Sequence, residues 1–154
     1  MPFRMPIRTR EFFSNIYDKR NSDGTKLTLL FDGYYFSLLV GFIYAKYDNN
    51  AELEASEFLD GYPNEYNESK DYIAGLLIST EIQLQGIKED DAEEMERLMV
   101  EYIDSGSKTL LTAKGEQRLN QYAARGIDIM IEKMSGKPYT LDSFFREYFM
   151  LFGV

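Results

Sequence analysis

Residues 27–47 read LTLLFDGYYFSLLVGFIYAKY, the most hydrophobic run in the chain, and the fold turns on whether this run is one helix or two strands. Periodicity alone does not separate the two, because a buried helix and a pair of buried strands both appear as nearly continuous apolar sequence. A helix from about Asp32 to Lys46 fits best: Phe36, Leu39, Val40 and Ile43 recur at the spacing of one helical face, and the Asp32 carboxylate suits an N-cap. Leu27 to Phe31 is then read as a short strand. A glycine within a helix costs about 1 kcal/mol relative to alanine, so Gly41 marks either a close approach by another backbone or a neutral surface position.

Outward from this run, Arg10 to Tyr17 is expected to form a short helix carrying Phe12, Phe13, Ile16 and Tyr17 on its apolar side, followed by a turn over residues 19–24. Residues 48–67 carry Asp, Asn, Gly and Pro at short intervals and read as a loop-rich, mobile insertion with one helical turn around Glu52 to Leu59. A helix from Ser69 to Gln85 follows, with Tyr72, Ile73, Leu76, Leu77 and Ile82 as core candidates and Gly86 as its stop. Lys88 to Asp104 is the clearest amphipathic segment, with Ala92, Met95, Leu98, Met99, Tyr102 and Ile103 in one stripe and eight acids and two bases around it. Thr112 then caps a helix running to Met134, with Leu119, Tyr122, Ala123, Ile127, Met130 and Ile131 inward and Gly126 as a point of close packing. Thr140 caps a final aromatic helix. The expected architecture is a single all-α domain spanning residues 1–154, with five to six helices.

The chain has no histidine and no cysteine, which removes disulfides, thiol nucleophiles, Cys/His zinc sites, imidazole bases and the serine-histidine triad. A non-catalytic protein without cofactor or metal is therefore expected. No apolar stretch approaches the roughly 20 residues of a membrane span and no signal peptide is evident, so the expectation is a cytoplasmic protein that does not enter the membrane.

Charge is segregated: residues 48–104 hold 17 acids and three bases, in a chain of net charge −9. Such a middle does not suit duplex DNA, which needs clustered Lys and Arg against its phosphates. The acidic face of residues 89–104 reads as a solvated surface, a dock for a larger basic protein, or a mimic of DNA phosphates. On the docking reading, Glu93, Glu94, Glu96 and Glu101 face the partner and Tyr148 and Phe149 anchor it; self-association is also compatible with the sequence.

Three weaker motifs have plainer explanations. Ser105-Gly106-Ser107-Lys108-Thr109 resembles the end of a phosphate-binding loop, but its Gly and Lys are not adjacent and a helix precedes it. Asp60, Glu68 and Lys70 have the residue order of a magnesium-dependent hydrolase, but the last two fall at a helix start, where the sheet of such a site is missing. Asp48-Asn49-Asn50 lacks the glycine and terminal acid of a calcium loop.

The final helix carries Leu141, Phe144, Phe145, Tyr148, Phe149 and Phe152, as core, as a docking stripe, or as both. Leu38-Leu39-Val40-Gly41-Phe42 and Asn120-Gln121-Tyr122-Ala123-Ala124-Arg125-Gly126-Ile127 together resemble small accessory proteins of bacterial DNA phosphorothioation (Dnd-type) modification and restriction systems. Ile43-Tyr44-Ala45 stands where basic residues would follow. The resemblance implies a helical, non-catalytic adaptor in a multiprotein anti-phage assembly. The alternatives are an acidic, DNA-mimic-like inhibitor of a DNA-binding protein and a carboxylate-metal hydrolase using Asp60 and Glu68.

Overall fold

The computed structural model describes residues 2–21 and 23–153. Among them six α-helices form: α1 Thr9–Phe13, α2 Leu30–Ile43, α3 Lys70–Gln85, α4 Ala92–Tyr102, α5 Ala113–Lys133 and α6 Leu141–Met150, with a 3-10 turn at Asn64–Ser69 leading into α3. β-type pairing among these residues is confined to isolated bridges. The protein is mainly helical, and the hydrophobic run is one helix.

That helix, α2, packs against α5 backbone to backbone. A Cβ added at Gly41 would collide with the carbonyl of Tyr122, and one added at Gly126 would collide with the carbonyl of Ser37. The glycine in each helix is what lets the other come this close. One core cluster, including Phe3, Phe31, Tyr34, Leu38, Leu77, Leu98, Tyr102 and Tyr122, joins these two helices to α3 and α4. A second, including Phe13, Val40, Ile127, Met130, Phe144 and Tyr148, joins them to α1 and α6.

The ends of α2 differ from the sequence expectation. Asp32 lies in the first turn instead of at the cap: its carboxylate reaches back to the Leu29 N–H at 3.2 Å and accepts the Tyr66 hydroxyl through its other oxygen. The helix therefore starts at Leu30, and Leu27 keeps a single bridge to Tyr17 instead of a strand. At the other end Ala45 adopts φ 51°, and the Ala45 and Lys46 N–H groups return to the carbonyls of Phe42 and Gly41, each at 3.0 Å. This left-handed closure stops the helix short of Lys46. Helix α1 is also shorter than expected, ending where the Ser14 hydroxyl turns back on the Glu11 carbonyl at 2.9 Å.

Residues 48–67 do not form a free insertion. Residues 3–7 run antiparallel beside 52–59, with Phe58 N–H to Phe3 O at 2.9 Å and Glu54 N–H to Met5 O at 2.8 Å. The helical turn expected at Glu52 to Leu59 is replaced by a non-helical segment, bent between its two bridges, whose partner lies far away in sequence. Asn120 on α5 clamps the same arm, donating to Pro2 O at 2.8 Å while its oxygen accepts the Tyr34 hydroxyl at 2.6 Å.

Caps set the remaining boundaries. Thr112 and Thr140 accept from Gly115 N–H at 3.0 Å and Ser143 N–H at 3.1 Å, as the sequence indicates. Asp91 accepts from Glu94 N–H at 3.2 Å, so α4 begins at Ala92 instead of Lys88. Gly86, at φ 65°, closes α3. Among the described residues no helix is long and apolar enough to cross a membrane.

Candidate protein-binding surface

Leu98 and Tyr102 turn α4 into the core, and the opposite side of the helix presents Glu93, Glu96 and Val100 at i, i+3 and i+7. Val100 is 72% exposed and its neighbour Met99 45% exposed. Met99 and Ala92 were expected in the buried stripe and are instead open to solvent; only Leu98 and Tyr102 are sealed, while Met95 and Ile103 are half-buried. The outward face of α4 thus combines two free carboxylates with two apolar side chains.

The four glutamates assigned to a partner divide. Glu93 and Glu96 are exposed and have no ion-pair partner among the described residues. Glu94 and Glu101 are held by Arg97, at 3.0 and 2.9 Å, and Glu101 also takes the Lys114 ammonium. The hydrogen bond from Lys114 leads the effects that hold the Glu101 carboxyl below its ordinary pKa. Negative charge on this face therefore belongs to Glu93 and Glu96, with Glu89 and Asp90 exposed just before the helix.

Tyr148 is not a surface anchor. It is 2% exposed, its hydroxyl donates to the Phe36 carbonyl at 2.7 Å, and burial raises its pKa well above that of a free phenol. Phe149 is exposed and stacks on Phe145 with ring centres 5.7 Å apart. It sits on α6, whose core contacts lie in the cluster that α4 does not enter, so it forms no part of the α4 surface.

Beneath α4 lies a polar network that sequence reasoning missed. Glu81 of α3 is 1% exposed; it accepts from Arg118 at 2.8 Å, from the Tyr102 hydroxyl at 3.1 Å, from Gln85 at 3.2 Å and from the Tyr122 hydroxyl. The Arg118 guanidinium lies over the Tyr47 ring at 3.9 Å. Burial works against its charge, yet Glu81 and the surrounding tyrosines outweigh that effect and raise its pKa. Burial and then the carboxylate likewise raise the pKa of the Tyr102 and Tyr122 phenols. Gln85 extends the network to Arg97 at 2.8 Å, and so to the surface of α4. Every donor converges on a carboxylate that is already satisfied, so this arrangement ties α3, α4 and α5 together and holds no free nucleophile or base. The signal in the sequence is a lone acid one turn beyond Leu77 on the apolar side of a helix.

The other motifs take ordinary places. In residues 105–109 the Gly106 N–H and Ser107 N–H return to Asp104, and the Thr109 hydroxyl donates to Glu116 at 2.7 Å, so those amides are engaged within a turn. Asp60 lies 3.7 Å from Lys108, and Glu68 is exposed in the 3-10 turn. Among the described residues no three Asp, Glu, His or Cys side chains gather as metal ligands.

No family model, curated protein or solved structure matches the chain.

Proposed function

We propose that this protein is a non-catalytic adaptor that docks a basic protein surface on the outward face of α4. The observation that carries the reading is the placement of Val100 and Met99 in the open beside Glu93 and Glu96. Interfaces draw affinity from a few desolvated apolar anchors and draw approach rate and selectivity from the charges around them. The α4 face has both parts on one rigid helix. Absence of histidine and cysteine, and the saturation of the Glu81 carboxylate, support the non-catalytic half of the proposal. The resemblance to Dnd-type accessory proteins supplies the setting, a multiprotein DNA modification and restriction assembly.

The test is co-purification followed by binding to the recovered partner at several salt concentrations. Reversing Glu93 and Glu96 to lysine together should slow association and flatten its salt dependence, whereas Val100→Ala with Met99→Ala should speed dissociation by about tenfold or more. Unchanged binding in both variants would return the α4 face to a solvated surface. A partner that loses DNA binding when the wild-type chain is added would make the adaptor an inhibitor.

A further inference from the structure

We infer that the cavity between α1 and the start of α2 binds a small, uncharged, mainly apolar molecule whose single oxygen accepts a hydrogen bond from the Thr9 hydroxyl.

The cavity measures about 260 Å³, and Met5, Phe13, Tyr17, Leu27, Leu29 and Leu30 give it an apolar wall. Such a space exceeds the roughly 150 Å³ of a cavity that holds benzene, so it suits one ring with a short substituent. The floor is fixed: the Phe13 ring lies against Gly33, where an added Cβ would stand 2.9 Å from it. The site therefore exists before a ligand arrives, as is usual for small-molecule sites.

Thr9 carries the inference. It lines the cavity and is 1% exposed, and its hydroxyl has no hydrogen-bond partner among the described residues. A threonine hydroxyl in a helix can return to the carbonyl one turn back; here that carbonyl, of Met5, accepts the Glu54 N–H at 2.8 Å instead. A buried polar atom left unpaired destabilises the fold, and a ligand oxygen seated against Thr9 removes that cost.

The rest of the lining selects the occupant. A buried water needs two or more polar partners, but Leu27 is paired with Ile16 and Asp18 through its backbone, and Leu29 with Asp32. The Ser14 hydroxyl is turned to the Glu11 carbonyl. Arg10 is the one charged residue in the lining, and the Glu54 carboxylate matches its guanidinium at 2.7 and 3.0 Å, so the wall offers no free charge to an ion. One hydrogen-bonding atom on an apolar body complements what is left.

Titration of the isotope-labelled chain with benzyl alcohol and with toluene, which share a ring and differ in the oxygen, tests this by nuclear magnetic resonance. Benzyl alcohol should saturate, with nuclear Overhauser contacts to the methyl groups of Leu27, Leu29 and Leu30. Thr9→Val keeps the side-chain shape and removes the oxygen. It should weaken benzyl alcohol by about tenfold, leave toluene within about twofold, and raise the urea midpoint of the free protein, since an unpaired hydroxyl is gone. Failure of benzyl alcohol to saturate, contacts at other residues, or equal effects of Thr9→Val on the two probes each overturns the inference. So does a lower urea midpoint for Thr9→Val, which would mean that the hydroxyl is already bonded, to water or within the chain. Helix α4 contributes no residue to this cavity, so none of these results bears on docking through α4.

Discussion

Gly126 has the least room of the glycines in the helix pair. A methyl group there would enter the Ser37 carbonyl, with the Gly41 amide 3.0 Å away on the same side, so neither helix can yield without parting from the other. Overpacking of this kind costs about 3 kcal/mol when the obstacle is backbone. Gly126→Ala should lower the free energy of unfolding by that amount, read as a lower urea midpoint with an unchanged slope. The same substitution at Gly75, where an added Cβ meets nothing within 4 Å, should raise stability by roughly 1 kcal/mol, the helix propensity alone. Equal effects at the two positions would refute the distinction between an occupied and an open glycine. Sequence reading flags Gly41 and Gly126 as candidates for close packing, because a glycine within a helix needs an explanation; that the two belong to one crossing is a fact about two helices.

At the scale of elements, α4 is held differently from its neighbours. It places only Leu98 and Tyr102 fully in the core, and the rest of its seat is the polar network around Glu81. Removing one partner of a buried ion pair strands the other charge, at a cost of about 3 to 5 kcal/mol. Glu81→Ala should therefore destabilise the protein by about that much, whereas Glu81→Leu combined with Arg118→Met, which removes both charges, should recover the part due to the stranded charge and leave the part due to the Tyr102 and Tyr122 hydroxyls that lose their acceptor. Hydrogen exchange on α4 offers a second readout, since the single variant should release its amides before those of α2 and α5. A loss below about 1 kcal/mol in Glu81→Ala would show that the pair adds little. Amphipathic spacing reveals that α4 has an inner side; the width of that side depends on how near α3 and α5 come, which explains why Met99 fits the stripe on paper and lies in solvent in the fold.

For the molecule as a whole, the tyrosines govern behaviour in alkali. Burial leads the causes that raise the pKa values of Tyr34, Tyr62, Tyr66, Tyr102, Tyr122 and Tyr148 in the fold. A free phenol loses its proton near pH 10, so above that pH the unfolded chain binds fewer protons than the folded one, and stability falls as pH rises. The contribution is fully present below about pH 10 and declines by about 1.4 kcal/mol per pH unit for each such tyrosine. With several acting together, unfolding should be cooperative and begin soon above pH 10, with the phenolate absorbance of these six buried rings appearing in the same step as the loss of helical circular dichroism. Ionisation of all twelve tyrosines before the loss of helix would mean that these rings titrate within the fold, against the burial described above.

The sequence by itself determined the helical class, the caps at Thr112 and Thr140, the stop at Gly86 and the acidic character of residues 89–104, because each depends on residues within a few turns of one another. Short-range spacing also shows which side of α4 must be polar. Only the tertiary structure decided that Glu101 is also taken by Lys114 of α5, that Tyr148 is core while Tyr72, expected in the core, is 61% exposed, that residues 52–59 pair with the N-terminal arm, and that Glu81 meets Arg118. In most of these cases the partner lies on another element, and no local period records which neighbour a side chain will find. Exposure is settled in the same way: Val100 and Met99 are open because no other helix among the described residues covers that side of α4, and a helix cannot encode within itself what fails to cover it.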